Sequence, residues 1–246
     1  MKISTMPTFF ITWGANMAEA HPMLYSRLTA HKLQNESVRH IDITTMKTRT
    51  SASADKVLLF RPGTDLAIAN CVANYLIQNK KYDADFVRDH LQFKMGTENI
   101  GNAYEDGYDK SDLGKSVDKT TACTFEEYAA RLADYTLEYT SELSGVSVED
   151  LTDLCEVFAD PDLRVMSLWT MGVNQHNRGT WMNHNLHNIH LLSGKYGKPI
   201  TLLDTSKEIG NPTLKDNSET VDGKNDRSQA GRKLRRNPYQ LKTTCR

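Results

Sequence analysis

Four short runs of β-branched and aromatic residues, set among longer segments of helical period, constrain this chain more than any other feature. The runs are "TFFITWGAN", "VRHIDITT", "KVLLFRPG" and "RVMSLWTM". Each is too short for a helix and ends in small or polar residues, which reads as a strand. Between and after them lie helical segments. "MAEAHPMLYSRLTAHKL" puts Met17, Leu24, Leu28 and Leu33 near one face, and Pro22 falls in its first turns or breaks off a short initial piece. "TDLAIANCVANYLIQNK" repeats Leu66, Ile68, Cys71, Val72 and Leu76 at helical spacing, with Thr64 or Asp65 as its N-cap. "TFEEYAARLADYTLEYTSELSG" opens on Thr124 with Glu127 three residues later, a capping box; Ser147 and Asp150 repeat the arrangement in "SVEDLTDLCEVFAD". "TWMNHNLHNIHLLSG" closes a last helix at Gly194. Strands separated by helices predict an α/β fold, a Rossmann-like parallel sheet with flanking helices and right-handed crossovers.

The predicted α/β region runs over residues 1–203, with 94–121, rich in Gly, Asp and Lys and without a period, as a long surface loop. Residues 204–246 read as a polar basic tail without a core. After Asp226 it holds seven basic residues and no acid, a composition expected to be disordered. Across the whole chain 30 Lys and Arg face 31 Asp and Glu, so no global charge draws it to nucleic acid, and the cluster Arg232–Arg236 reads as solvated tail. No apolar run is long enough to span a bilayer, and the opening "MKISTMPTFFITWGANMAEAHP" reads as a first strand rather than a secretory segment. The cysteines, Cys71, Cys123, Cys155 and Cys245, form no close pair, so neither a zinc knuckle nor an iron–sulfur run is encoded; Cys71 and Cys155 read as small buried side chains.

In an open parallel sheet, ligands bind at the carboxyl ends of the strands. Three strand ends carry suggestive residues. After the first comes Trp13-Gly14-Ala15-Asn16, where small residues permit close backbone approach and the next helix start offers N–H groups to a phosphate. After the second come Thr44, Thr45 and Thr48 as hydroxyl donors with Lys47 as a cation; after the third come Gly63, Thr64 and Asp65. The densest stretch, "WTMGVNQHNRGTWMNHNLHNIHLLSG", holds five asparagines, one glutamine and four histidines. His184, His187 and His190 recur at spacing three, but no carboxylate lies between Asp162 and Asp204 and no cysteine is near, so no metal site is expected. Asn174 and Gln175, at the strand end, present donors and acceptors suited to a heterocycle's edge, with Asn183 and Asn188 on the helix behind them. A helix start lined with amides for its own capping fits the same composition.

The segments "WGANMAEAHP", "RPGTDLAIANCVANYLIQN" and, above all, "WTMGVNQHNRGTWMNHNLHNIHLLSGK" resemble the catalytic subunit of periplasmic nitrate reductases, in the dimethyl-sulfoxide-reductase-type molybdopterin oxidoreductases. The likeness extends, with gaps, over residues 9–199. It implies a molybdenum bis(molybdopterin guanine dinucleotide) cofactor, with Trp13, Gly14, Ala15, Asn16, Met17, Ala18, Glu19 and Ala20 along its phosphates and ribose. It implies Thr44, Thr45, Met46, Lys47 and Thr48 in the next binding loop, although Met46 and Lys47 depart from the family's pattern. Gly63, Thr64 and Asp65 would lie near guanine, the Asp65 carboxylate accepting from its N1–H and N2–H, and Met171 and Gln175 near the pterin and metal. The resemblance further implies reduction of nitrate to nitrite, a periplasmic location, a 4Fe-4S cluster and a cytochrome c-type electron donor. The cluster cysteines, the cysteine ligand to molybdenum and a twin-arginine signal are not in this sequence. The expectation is an internal fragment with no catalytic or metal-ligating residue of its own, inactive without the remainder of the subunit. Rival readings are a piece of an assimilatory nitrate reductase or formate dehydrogenase, a non-catalytic nucleotide-binding module, or a poorly folded remnant.

Overall fold

The computed structural model of this chain describes residues 7–95, 121–176, 179–196, 202–204 and 239–243. In chain order these form β1 (Phe9–Trp13), α1 (Met17–Ala20), α2 (Pro22–Gln34), β2 (Arg39–Thr44), a 3-10 turn (Thr50–Ser53), β3 (Lys56–Leu59) and α3 (Asp65–Gln78). Then follow α4 (Ala84–His90), β4 (Leu91–Met95), β5 (Thr121–Cys123), α5 (Phe125–Leu132), α6 (Leu137–Ser144) and α7 (Val148–Ala159). The last are β6 (Val165–Trp169), α8 (Met171–Asn174), α9 (Gly179–Leu192), β7 (Leu202–Asp204) and β8 (Tyr239–Thr243).

The main sheet is parallel throughout, in the order β3-β2-β1-β6-β7. The chain builds outward from β1 to β3, then returns to the other side of β1 for β6 and β7. The order therefore reverses between β1 and β6, which makes their carboxyl ends a topological switch point. Alternation along each strand divides the core in two. Ile11, Trp13, Ile41, Ile43, Leu58, Val165 and Trp169 face the larger cluster with α3, α7 and α9. Phe10, Val38, Met166 and Leu168 face the smaller one with Met17 and Leu28. Burial on both faces is why the strands read as nearly continuous apolar runs.

Helix α3 is the centre of the larger layer. Eleven of its 14 residues are buried, so its apolar surface is not one stripe but most of its circumference. The single-face reading therefore undercounts its burial, and Leu66, placed on that face, is only partly buried. Pro22 stands at the first position of α2 and separates it from α1, the break its missing N–H and fixed φ impose. The expected capping box is present at Thr124, and Ser147 accepts from the Asp150 amide. The segment read as one helix from Thr124 to Gly145 is two. Thr136 caps a new start by accepting from the Tyr139 amide, and the Tyr135 carbonyl is taken by Asn74 Nδ2 at 3.1 Å. Residues 81–93, unassigned from sequence, supply α4, capped by Asp83, and most of β4.

The ends of the stretch 94–121 are paired as β4 and β5, while 96–120 lie outside the described residues. So do 205–238 and 244–246, which hold most of the expected tail, the Arg232–Arg236 cluster and Cys245. Within that tail, Tyr239–Thr243 forms a strand parallel to β4.

Several buried polar side chains between the layers pair with one another. Thr12 Oγ1 donates to Asp42 Oδ1 at 2.6 Å and lies 3.0 Å from His40 Nε2, while Ser51 Oγ donates to Asp42 Oδ2 at 2.6 Å. His40 is pushed down to about 4, first by burial and then by Lys32. On the other face His190 Nε2 meets Ser167 Oγ at 2.7 Å, and Trp13 Nε1 donates to the same hydroxyl at 3.3 Å. Complete burial holds His190 down at about 3.

Candidate functional site

The site grows from the carboxyl edge of the sheet, where parallel strands bring the loops after β1, β2, β3 and β6 together. Contacts between loops show the convergence. Gly14 N donates to Ile43 O at 2.8 Å, tying the β1 exit to β2. Thr50 Oγ1 donates to Asn16 Oδ1 at 3.2 Å, joining the β1 and β2 loops. His176 Nε2 lies 2.8 Å from Asp65 Oδ2, joining the β6 and β3 loops across the two strands between them. Asn16, Asp65 and Gln175 thus lie along one edge rather than on different sides.

The β1 and β6 loops touch at glycines. A Cβ on Gly172 would stand 2.2 Å from Gly14 O, and one on Gly14 would meet Gly172 C at 3.1 Å. Gly14, at φ +55°, therefore gives its missing side chain to the approach of the β6 loop. The amides of α1 are also engaged. Ala18 N donates to Thr50 Oγ1 at 3.0 Å, and Glu19 and Ala20 donate to Asn16 O. Of the N–H groups expected to face a phosphate, those of Ala18, Glu19 and Ala20 are therefore already bonded within the chain. Trp13, Ala15 and Met17 are buried in the core, while Glu19 and Ala20 are exposed.

In the β2 loop, Thr44 Oγ1 donates to Met46 O at 2.9 Å and Thr48 Oγ1 accepts from Thr50 N at 3.2 Å, so two of the three expected hydroxyls shape the turn. Thr45, Met46 and Lys47 are exposed. At the β3 end Gly63 sits at φ +81° with open space where a Cβ would be. Thr64 occupies the N-cap position of α3, but its hydroxyl donates to Arg61 O at 2.7 Å instead of capping the helix.

Asp65 is the unusual residue. It is buried, with 4% of its surface exposed, and Oδ1 has no hydrogen-bond partner among the described residues. Burial pushes its carboxyl above the usual carboxylate range, against the pull of His176 and of the amides at the helix start. A buried acceptor without a partner costs about 1–3 kcal/mol, more when charged. That cost is removed by a ligand that donates to it.

Beside Asp65 opens a cleft of about 640 Å³, lined by Pro62–Ala67, Tyr135, Tyr139, Leu143 and His176. Its walls are held together by Arg61. The Arg61 amide donates to Ser144 O at 2.8 Å, and its guanidinium to Glu142 O at 2.7 Å and Leu143 O at 3.2 Å. A cation on the last carbonyls of α6 complements that helix's dipole and fixes Tyr139 and Leu143 opposite the β3 loop. Tyr135 and Tyr139 stand edge to face, 6.0 Å between centroids. An aromatic wall beside an acceptor-only carboxylate suits a flat heterocycle whose edge donates hydrogen bonds.

A family model for molybdopterin oxidoreductases matches residues 6–236. The chain belongs to this family. Among solved structures, acetylene hydratase from Pelobacter acetylenicus matches with a TM-score of 0.59 at 16% identity, a likeness of fold. The match covers 80% of this chain and 22% of that one, so the molybdopterin oxidoreductase chain described here spans about a fifth of that protein's length.

Sequence reasoning reached Asp65 but not His176, whose partner lies 111 positions away. A histidine following Gln175 at a strand end was its only local sign. The β6 loop holds Met171 partly buried and Gln175 exposed; Asn174 Oδ1 and Asn183 Oδ1 are buried without partners among the described residues. The amides deeper in α9 serve packing. Asn185 Nδ2 donates to Asn70 Oδ1 on α3, and Asn188 Nδ2 donates to Asn185 Oδ1 at 3.3 Å. His187 meets Trp169 edge-on at 5.4 Å, and among the described residues no group of three His, Cys, Asp or Glu could hold a metal. Nor is any described helix long and apolar enough to cross a membrane.

Proposed function

We propose that this chain supplies the guanine-dinucleotide part of the cofactor site in a molybdenum nitrate reductase, holding bis(molybdopterin guanine dinucleotide) jointly with the rest of the catalytic subunit. The observation that carries the reading is Asp65: a buried carboxylate with an oxygen unpartnered among the described residues, at the carboxyl edge of the sheet, lining a cleft. Guanine presents two adjacent donors, N1–H and N2–H, which a carboxylate accepts as a charge-assisted pair. Tyr135 and Tyr139 offer the base an apolar wall, and Arg61 holds that wall in place. Met171 and Gln175, which follow β6 beside the switch point, are the residues we assign to the pterin on the strength of the resemblance.

When bound, the molybdenum centre supplies the oxygen-atom and electron transfer that turns nitrate into nitrite. The residues of this chain bind and orient; none of them is assigned a proton or electron in that reaction. The nitrate assignment is supported by the motif W-x-M-G-x-N-Q-H-x-R-G at residues 169–179, and with it go a 4Fe-4S cluster, a cytochrome c-type donor and a periplasmic location.

Calorimetry with GMP tests the pocket. Binding by the chain that disappears in Asp65→Ala supports it; no binding by the wild type, or equal binding by the variant, refutes it. A reduced-viologen assay on the complete catalytic subunit tests the substrate, and turnover of formate without turnover of nitrate would overturn that part.

A further inference from the structure

The contact between Asp65 and His176 has a geometry that the guanine reading alone does not require. Asp65 opens α3 after β3; His176 follows α8 after β6; β2 and β1 lie between those strands. The contact at 2.8 Å therefore spans the site edge and fixes one oxygen of the carboxylate, Oδ2, while Oδ1 has no partner among the described residues. A carboxylate can only accept, so Nε2 carries the hydrogen. The terminal torsion of an aspartate is broad, and a carboxylate held by nothing samples many planes. Here the aspartate side chain is 5% exposed and the histidine 29%, so the pair sits at the wall of the cleft rather than in solvent.

We propose that His176 is a positioning and specificity-determining residue for the purine edge. By donating to Oδ2 it sets the plane of the Asp65 carboxylate and leaves Oδ1 for a donor on the ligand. Each carboxylate oxygen has two lone pairs, so Oδ2 can accept from His176 and from a base at once. Held in that plane, the two oxygens match an edge with two adjacent donors. They reward the exocyclic amine that distinguishes guanine from hypoxanthine, and repel the acceptor N1 of adenine. The inference rests on the guanine reading above and adds to it the residue that makes the carboxylate selective.

The test is calorimetry of the 246-residue chain with GMP and IMP, which differ by the exocyclic amine. The wild type is expected to favour GMP about tenfold, the worth of one good hydrogen bond to a charged group. In His176→Ala, GMP affinity falls about tenfold and the GMP-to-IMP ratio approaches one. His176→Gln, whose Nε2 can donate from nearly the same place, restores both; a purely structural role would leave the ratio unmoved. Melting curves accompany each variant, and if His176→Ala fails to fold, the Gln variant decides alone by keeping or losing the ratio. Unchanged affinity and ratio in His176→Ala, or no rescue by Gln, overturns the proposal. Loss of binding in Asp65→Ala beside an unaffected His176→Ala leaves the pocket standing and removes only this inference. Absence of GMP binding by the wild type removes both.

Discussion

Replacing Gly172 with alanine tests the convergence of the binding loops most directly. The added Cβ would lie 2.2 Å from Gly14 O, 2.9 Å from Gly14 C and 3.0 Å from Gly14 Cα. Ordinary contacts of this kind sit near 3.5 Å, so relief requires the loops to part by roughly 1 Å. Every atom met is backbone, so no side chain can swing aside. Gly14 is itself anchored through its amide to Ile43 O at 2.8 Å. Overpacking of this sort costs about 1–3 kcal/mol. For a chain of this size each kcal/mol lowers Tm by about 2–4 °C, which gives a fall of about 4–8 °C for a central cost of about 2 kcal/mol. Gly63 is the control with the opposite cause. A Cβ there meets nothing within 4 Å, but φ is +81°, so alanine costs about 1–2 kcal/mol through the backbone alone. Asparagine, tolerant of that conformation, should recover much of the loss at position 63 and none at position 172. Thermal melts of the four variants read this directly. Gly172→Ala melting within about 1 °C of wild type, or rescue of that position by asparagine, would refute the claim that the two loops meet backbone to backbone.

Stability should fall with acid before carboxylates become involved. His190 and His40 are held at about 3 and about 4 against an ordinary 6.5, so the unfolded chain takes up their protons first. Stability is full above pH 6.5 and declines as pH falls toward 4, by up to about 1.4 kcal/mol per pH unit for each histidine. Asp42 and Asp65, whose carboxyls are raised, oppose the trend at the acid end. Urea titrations from pH 7 to 4.5 check it, and a flat profile would count against burial of both imidazoles. Lys195, 2% exposed, donates to Asp160 O at 2.5 Å and Leu163 O at 2.8 Å behind α7. Lys195→Met should cost about 2–3 kcal/mol by leaving those carbonyls without that donor, read as a lower urea midpoint. Asn185→Leu should cost a similar amount, because Asn70 and Asn188 each lose a partner in the seam between α3 and α9.

Four of the five strands of the main sheet were legible because strands buried on both faces are mostly apolar, as in Phe9–Trp13 and Val165–Trp169. Helix starts at Thr124 and Ser147 were legible because a cap is a local bond between residues three apart. The division of α5 from α6 was not. Its causes are Thr136, a cap inside a continuing apolar period, and Asn74, which reaches the freed Tyr135 carbonyl from another helix. The same limit explains Thr64, whose hydroxyl turns back to Arg61, and the amides of α1, taken by Thr50 and Asn16. A sequence names donors and acceptors, while only the fold says which have already been used.

That distinction also sorts the amide-rich stretch from Trp169 to Gly194. Asn185 and Asn188 are engaged with Asn70 in the interface between α3 and α9, so composition there reports packing. Asn174 and Asn183 keep buried oxygens without partners among the described residues, as Asp65 does. A stable chain tolerates few such atoms. At Asp65 such an atom belongs to a residue that lines a cleft, which is where a polar ligand would complete it. Others, on Asn70, Asn74, Thr140 and His190, belong to residues that do not line the cleft. The test of that difference is where stabilisation appears: GMP should raise the melting temperature of the wild type and leave Asp65→Ala unmoved, whereas equal stabilisation of both would place the nucleotide somewhere other than this edge.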